Sequence, residues 1–192
     1  MSDRILVILG HPRKDSFCAA LAEAYAGGAK DKGKEVKTLA LIDLDFDPIL
    51  RNGYRDEADA LEPDLKRAQE AITWCEHLTF LYPTWWGSTP ALLKGFFDRT
   101  FLPEFAFRFR ESQLWDGLLK GRSGRLMVTM DAPPVIDRAE FWSSSQRAVE
   151  KATLGFCGVK PVRVSVFGSV KMSDQAKRER WLAEARRKGR LD

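Results

Sequence analysis

Three short segments of the chain combine residue types that could bind a flat, anionic ligand. The first, GHPRKDS at 10–16, offers His11, Arg13, Lys14 and Ser16 as donors just before a helical pattern. A helix N-terminus presents free backbone N–H groups and a positive dipole end, which favour a phosphate or pyrophosphate. The segment is neither GxxxxGK[ST] nor GxGxxG, which disfavours a P-loop NTPase or a Rossmann dinucleotide site. Taken alone, it leaves an anion site and a plain helix cap equally open.

The second segment, YPTWWGST at 82–89, places two adjacent tryptophans between a proline and a glycine. Aromatic side chains at the rim of a ligand site suit planar guests. Backbone N–H groups of such a turn can also stabilise a ligand that becomes anionic on reduction. Both tryptophans could instead be core residues that cap a sheet. We expect at least one to reach the ligand, with Trp86 as the contact and Trp85 as the scaffold.

The third segment, TMDAPP at 129–134, has fewer groups for chemistry. Thr129 could donate to a polar ring edge, and Asp131 is interpreted as capping a turn rather than binding a ligand hydroxyl. Elsewhere, His77 has no neighbour at metal-ligand spacing, so no metal site is predicted. GxSxG is absent, and WSSSQ at 142–146 is interpreted as a helix cap. This combination indicates that a cofactor carries the chemistry.

Five short apolar runs would position these segments at one edge of a sheet. Strands are predicted at 4–10, 35–41, 78–82, 124–130 and 162–168, and helices from Asp15 or Ser16, at 63–77, about 90–101, near 143–156 and in the basic C-terminal stretch. The stretches 43–62, 103–117 and 131–142 are predicted to be loops. This alternation predicts an α/β fold with a doubly wound, five-stranded parallel sheet and helices on both faces. Ligands of such sheets bind outside the carboxyl ends of the strands.

Length and composition favour one globular domain over residues 1–192, since the chain is 44% hydrophobic and 30% charged. The three cysteines, Cys18, Cys75 and Cys157, are widely spaced and favour reduced thiols over disulfides or zinc. Much of the excess positive charge behind the net charge of +4 lies in the stretch KRERWLAEARRKGR. Acidic residues are interleaved with the basic ones there, a pattern that fits a solvated helix better than a nucleic-acid-binding surface. Without a membrane-spanning run or a signal peptide, we expect a cytoplasmic protein with no stable membrane insertion.

Four segments together resemble the flavodoxin-like NAD(P)H:quinone oxidoreductase family, the DT-diaphorase type with its bacterial relatives. They are GHPRKDSF, YPTWWGSTPALLKGFFDRTF, EFAFRF and LGFCGVKPVRVSVFG, and their order and spacing agree over nearly the whole chain. The resemblance implies a flavodoxin-like fold, a tightly held flavin and NAD(P)H as co-substrate. It also implies a homodimer in which the partner subunit helps to wall each active site.

The resemblance further implies which residues contact the ligands. Around the phosphate arm of the flavin these are His11, Ser16, Phe17 and Cys18. Around the ribityl chain and the ring they are Pro83, Thr84, Trp85, Trp86, Gly87, Thr129 and Met130. Gln69 matches a family position near the adenosine end of FAD. Phe107 and Phe109 match aromatic positions that close the substrate pocket from the neighbouring subunit.

The segment after the fourth predicted strand departs from the family. Relatives of the diaphorase type carry a Gly-Gly pair there, followed by a tyrosine and a histidine near the flavin. TMDAPPVIDRAEFW instead has Asp131 and Ala132, and it contains neither Tyr nor His. A proton relay through such a pair is therefore not expected, nor is strict quinone specificity. Phe141 or Trp142 is expected to line this side of the substrate pocket.

The leading functional expectation is a flavin-dependent NAD(P)H oxidoreductase. A hydride would pass from NADH or NADPH through the flavin to a quinone or similar small acceptor, in a ping-pong reaction through one pocket. FAD is favoured over FMN because of Gln69, the long loop before it and the length of the chain. The alternatives are a flavin-binding electron carrier or regulatory subunit of a membrane transport protein, and a domain that has lost cofactor binding.

Overall fold

A parallel sheet of five strands forms the centre of the computed structural model, which describes residues 2–53, 61–112 and 114–192. In chain order the strands are β1 (Arg4–Leu9), β2 (Glu35–Ala40), β3 (His77–Pro83), β4 (Phe107–Phe109), β5 (Trp115–Gly117), β6 (Ser123–Thr129) and β7 (Val162–Phe167). The parallel sheet has the order β2-β1-β3-β6-β7, whereas β4 and β5 form a separate antiparallel pair. The strand order reverses between β1 and β3, which is where doubly wound sheets bind ligands.

Helices cover both faces of this sheet. They are α1 (Phe17–Lys30), α2 (Pro63–Trp74), α3 (Ala91–Thr100), α4 (Pro134–Glu140), α5 (Ser144–Arg147) and α6 (Gln175–Leu191). A 3₁₀ turn covers Leu41–Asp43, and α5 continues as a π-helical segment over Ala148–Gly155. The predicted α/β class, five-stranded parallel sheet and two helical layers are confirmed. Among the described residues, no helix has the length and apolar character needed to cross a membrane.

Each sheet face supports its own apolar core, because alternate residues of the central strands point to opposite faces. On one face Phe80 and Leu126 pack beneath α2, α3 and the π-helical segment. On the other face Leu81 and Met127 pack beneath α1 and α6. The central strands β1, β3 and β6 are buried almost throughout, which explains their continuous apolar sequences.

The two helices of the second face approach each other through glycines. A Cβ atom on Gly28 of α1 would collide with the carbonyl of Arg186, and one on Gly189 of α6 would collide with the carbonyl of Tyr25. Two arginines of α6, Arg186 and Arg190, also pair with Asp31 just after α1. The basic C-terminal helix is therefore docked on α1.

A buried polar cluster at the amino end of the sheet fixes the end of α6. Arg125 Nη2 donates to Asp192 Oδ1 over 2.8 Å, and Tyr25 Oη donates to the other carboxylate oxygen over 3.0 Å. The His77 ring is completely buried beside this carboxylate, and its Nδ1 lies 2.7 Å from Ser123 Oγ. Burial lowers the pKa of His77 to about 4, so the ring is neutral near pH 7. His77 is therefore a structural part of this buried cluster.

Several boundaries differ from the sequence prediction. His77 begins β3 rather than ending α2, and a hairpin (β4–β5) and a helix (α4) occupy stretches predicted to be loops. The predicted cap WSSSQ lies at the start of α5, but the N-cap residue Ser143 has a φ of 53° and its side chain makes no capping hydrogen bond. The neighbouring Ser144 Oγ instead donates to the Gly87 carbonyl over 2.7 Å. Part of the loop predicted at 43–62 falls at 54–60, outside the described residues.

Candidate functional site

A cavity of about 450 Å³ opens at the carboxyl ends of β1, β3 and β6. The loop after β1 contributes His11, Arg13, Ser16, Phe17 and Cys18; the loop after β3 contributes Pro83, Thr84, Trp85, Trp86 and Gly87; the loop after β6 contributes Thr129, Met130, Asp131 and Ala132; and Asp137, Phe141 and Val170 complete the lining. The volume lies within the range of small-molecule sites. The structure thus brings together the three segments singled out in the sequence.

The loop after β1 presents hydrogen-bond donors to the cavity. Ser16 Oγ accepts from the Ala19 N–H over 3.2 Å and so caps α1, as predicted. The N–H groups of Phe17 and Cys18, in the first turn of α1, have no acceptor among the described residues. Such groups at a helix N-terminus favour an anion. Lys14 is directed elsewhere, since its Nζ pairs with an Asp43 carboxylate oxygen at 3.0 Å, and it does not line this cavity.

The state of His11 follows from its hydrogen bond and its burial. Its Nδ1 accepts from the Arg13 N–H over 2.9 Å, which leaves Nε2 as the nitrogen that carries the proton in the neutral ring. Partial burial lowers the pKa of His11 below its ordinary value. At neutral pH the ring is therefore an uncharged N–H donor on the loop after β1.

The loop after β3 forms a two-residue turn that explains the paired tryptophans. Backbone hydrogen bonds in both directions join Trp85 and Ser88, at 3.0 and 2.9 Å. Between them Trp86 and Gly87 have φ values of 52° and 67°, as a type I′ turn requires. Trp86 is therefore held in the left-handed region, which costs free energy for a residue with a Cβ.

The two tryptophans of this turn differ in exposure. The Trp86 side chain is fully exposed, whereas Trp85 is half-exposed and packs edge-on against the His11 ring at 5.7 Å between centroids. The N–H groups of Trp86 and Gly87 donate to no acceptor among the described residues. Thr84 Oγ1 is a buried hydroxyl that also lacks a partner there. Trp85 therefore packs against the loop after β1, whereas the exposed side chain of Trp86 is accessible to a ligand.

The loop after β6 forms the third wall. Thr129 Oγ1 lies 3.1 Å from Cys18 Sγ, and burial raises the pKa of this thiol to about 12, so it stays protonated. Asp131 Oδ1 accepts from the Lys171 N–H over 3.0 Å. Asp131 therefore binds the backbone of the segment after β7 while it also borders the cavity, and its interpretation as a turn cap stays a prediction.

Two further lining residues are Asp137 of α4 and Phe141, the residue that directly follows this helix. Phe141 is one of the two alternatives that the sequence predicts on this side. The other, Trp142, lies mostly exposed on a neighbouring cavity of about 680 Å³ between α4, α5 and β7. Trp142 is therefore not brought to the main cavity of its own chain. Sequence reasoning missed Asp137, because the segment was predicted to be a loop and no motif marks it.

Three other expected ligand contacts lie away from this cavity. Gln69 faces α3, where its Nε2 donates to the Thr100 carbonyl over 2.9 Å. Phe107 is buried and Phe109 is 64% exposed on the β4–β5 hairpin. Both border an apolar cavity of about 500 Å³ beside α3 and the π-helical segment. A role of Phe107 and Phe109 toward a neighbouring subunit stays a prediction.

Known proteins share this sequence and architecture. The chain is 25% identical over 189 residues to an uncharacterized NAD(P)H oxidoreductase of Haemophilus influenzae, covering 95% of this chain and 92% of that protein. It is 31% identical over 179 residues to NAD(P)H dehydrogenase [quinone] 1 of the guinea pig, Cavia porcellus, covering 81% of this chain but only 64% of the longer relative. The crystal structure of Smu.1420 from Streptococcus mutans superposes with a TM-score of 0.85 at 27% identity, covering 98% and 100% of the two chains.

The family match spans almost the whole molecule. Residues 3–189 match the model of a protein family that is described as having a flavodoxin-like fold. The observed strand order β2-β1-β3-β6-β7, with the cavity at the carboxyl ends of the strands, is the doubly wound arrangement of that fold. This chain therefore belongs to the flavodoxin-like fold family, Flavodoxin_2.

Proposed function

We propose that this chain is a flavin-dependent NAD(P)H oxidoreductase that reduces a quinone or a similar small electron acceptor. The names of the relatives in Haemophilus influenzae and the guinea pig, an NAD(P)H oxidoreductase and an NAD(P)H dehydrogenase [quinone], support this assignment. When bound, the flavin supplies hydride transfer between NAD(P)H and the acceptor, in two half-reactions through one pocket.

The observation that carries the proposal is the distribution of unpaired donors around the cavity. The loop after β1 and the start of α1 supply the N–H groups of Phe17 and Cys18, and the loop after β3 supplies those of Trp86 and Gly87 beside an exposed indole. The first set fits a phosphate, and the second fits the edge of a planar ring that gains negative charge. A flavin has both parts, so the residues present fit this cofactor.

Different residues of the cavity have different roles in this proposal. The first turn of α1 and the neutral His11 ring bind and orient the phosphate. The turn at Trp86 and Gly87 directs backbone donors at developing charge without a titratable side chain. Trp86 and Phe141 border the cavity with apolar surface, which excludes water from the reacting groups and favours stacking of flat substrates.

The contacts described above are common to FMN and FAD, since both carry the ring and the first phosphate. The sequence predicts FAD through Gln69, with FMN as the alternative. In this structure the Gln69 amide donates to the Thr100 carbonyl, so an adenosine would need other contacts. Mass spectrometry of the cofactor released from purified protein distinguishes the two. The expected cytoplasmic location and the homodimer also belong to this proposal.

Two measurements test the function. Purified protein incubated with FMN and with FAD should acquire the visible absorbance of a bound flavin, and a colourless product would contradict the proposal. The loaded protein should then oxidise NADH or NADPH with a panel of quinones. Negligible turnover with free pyridine nucleotide, despite a bound flavin, would instead support the electron-carrier alternative.

A further inference from the structure

Asp137 is a buried carboxyl group at the wall of the candidate active site. Its residue is only 4% exposed, yet it borders both the main cavity and the neighbouring cavity between α4, α5 and β7. Carboxylates are rarely buried unless a partner or a function holds them there. Asp137 thus connects the place where substrates would react with a second opening of the protein surface.

The contacts of Asp137 satisfy only part of its hydrogen-bonding capacity. Oδ2 accepts from Gln146 Nε2 over 3.0 Å, whereas Oδ1 has no partner among the described residues. Oδ1 is not one of the fully enclosed polar atoms of the described residues, so it keeps some access to a cavity. One oxygen therefore anchors the carboxyl group while the other stays free for a ligand or a proton.

Gln146 gives the carboxyl group a partner in either protonation state. Its amide presents the NH₂ group to an ionised Asp137, and rotation by half a turn would present its oxygen to the carboxylic acid. The Gln146 Oε1 atom is at present buried without a partner, as is Ser145 Oγ on the adjacent residue. Partner-less buried oxygens cost free energy in a purely structural arrangement, and they suit a site through which protons or water move.

The other titratable groups that line the main cavity are less suited to exchange protons with an acceptor. The Cys18 thiol has its pKa raised to about 12 by burial, and an arginine such as Arg13 stays protonated. Asp131 is exposed and holds the Lys171 N–H. His11 lies on the loop after β1, at the phosphate end. Asp137 alone among the described residues joins burial, an unpaired oxygen and a place on the wall formed by α4.

Resting on the proposed function, we propose that Asp137 relays the proton that a quinone needs in addition to a hydride. NAD(P)H loses the hydride and is oxidised, and the acceptor gains two electrons with it. The Asp137 carboxylate takes up a proton from water in the cavity between α4, α5 and β7. The O–H bond formed on Asp137 then breaks as an O–H bond forms at the acceptor oxygen, which completes the hydroquinone and returns the carboxylate.

The test compares two acceptors in the flavin-loaded protein. A quinone consumes a proton on reduction, whereas ferricyanide takes single electrons and consumes none. In Asp137→Asn we expect quinone reduction to fall about 10²- to 10⁴-fold, the usual range for losing a proton-transfer group, with ferricyanide reduction within about twofold of wild type. Glu140→Gln, an exposed carboxylate on the same helix, is the matched control and should change neither rate. Asp137→Ser serves the same comparison if the asparagine variant does not fold.

A second readout does not depend on turnover. In protein labelled with ¹³C at the aspartate carboxyl carbons, the Asp137 signal is assigned by its absence from the variant, and it should shift when a quinone is added without NAD(P)H. An unshifted signal would overturn the relay, as would equal losses with both acceptors or unchanged quinone reduction in Asp137→Asn. If wild type reduces neither ferricyanide nor quinone with NAD(P)H, the proposed function itself fails.

Discussion

The turn that carries Trp86 requires a glycine at position 87. Replacing Gly87 should therefore affect both the stability of the protein and its binding of a ligand. A Cβ atom on Gly87 would meet only Ser144 Oγ at 3.7 Å, so space is available, but its φ of 67° disfavours any other residue. We expect Gly87→Ala to lower the free energy of unfolding by about 1 to 2 kcal/mol. Relaxation of the turn would also move the free N–H groups, so flavin affinity should fall about tenfold.

Gly33 provides the matched control for this prediction. It has a φ of 75°, no described atom within 4 Å of where a Cβ atom would lie, and a place in the turn after α1, away from the cavity. Gly33→Ala should cost similar stability and leave flavin affinity unchanged. Urea unfolding and fluorescence titration with flavin measure the two quantities. Equal loss of flavin affinity in both variants would show that the turn at Trp86 has no specific part in binding.

His77 makes stability depend on pH. Burial lowers its pKa to about 4 from the ordinary 6.5, so between these values the unfolded chain binds more protons than the folded one. The contribution of His77 to the free energy of unfolding is then fully present above pH 6.5. It is lost as the pH drops toward 4, and the loss amounts to about 3 kcal/mol. Asp192 opposes this shift, and Arg125, Arg163 and Lys34 add to it.

The variant His77→Asn tests this pH dependence. It removes the titrating ring and keeps a polar group that can reach Ser123. Urea unfolding from pH 4.5 to 7.5 should show a smaller loss of stability in the variant than in wild type. Parallel curves for the two proteins would contradict the assignment.

At the residue level, the sequence could predict lining residues that directly follow a strand. Trp86, Gly87 and Thr129 belong to this group, because parallel strands place their carboxyl ends on one rim. Asp137 and Val170 could not be predicted, since their positions depend on how α4 and the segment after β7 fold back over the rim. The role of Gln69 toward an adenosine stays a prediction, because its amide here donates to the carbonyl of Thr100 at the end of α3.

At the level of elements, we expect two adjacent glycines of α1 to differ in how much their replacement disturbs the contact with α6. Gly28→Ala forces a Cβ atom against the Arg186 carbonyl, whereas a Cβ atom on Gly27 would meet the side-chain guanidinium of Arg186, with Nη1 at 3.2 Å and Cζ at 3.8 Å, which needs to give by only a few tenths of an ångström beside Asp31. We expect Gly28→Ala to lower the free energy of unfolding by about 1 to 3 kcal/mol. Gly27→Ala should raise it by up to about 1 kcal/mol through helix propensity. Urea unfolding measures both, and similar effects would contradict the close helix approach.

The long elements could be predicted from the sequence and the short ones could not. Continuous apolar runs identify β1, β3 and β6 because these strands are buried on both faces. The three-residue strands β4 and β5 are too short to show an alternating pattern, and they pair only with each other. Helix α4 has seven residues, about two turns, so its sequence shows no clear periodicity, although Pro134 at its first turn is a common start signal.

For the whole molecule, the resemblance predicts a homodimer in which Phe109 closes the partner's substrate pocket. Phe109 lies outside the main cavity of its own chain and is 64% exposed. Sedimentation equilibrium should therefore give the mass of two chains. Phe109→Ala should raise the KM for a quinone several-fold without weakening flavin binding, while Leu114→Ala on the same hairpin serves as the control. A monomer at micromolar concentration, or an unchanged KM, would contradict this arrangement.

The cavity joins parts of the chain that are remote from one another, such as Cys18 and Thr129, which are 111 residues apart. A flavin that touches the loops after β1, β3 and β6 at once would act as a removable cross-link between them. Ligands that bind only the folded state raise its stability in proportion to the logarithm of their concentration. Resistance of this chain to proteolysis would then rise with the concentration of free flavin.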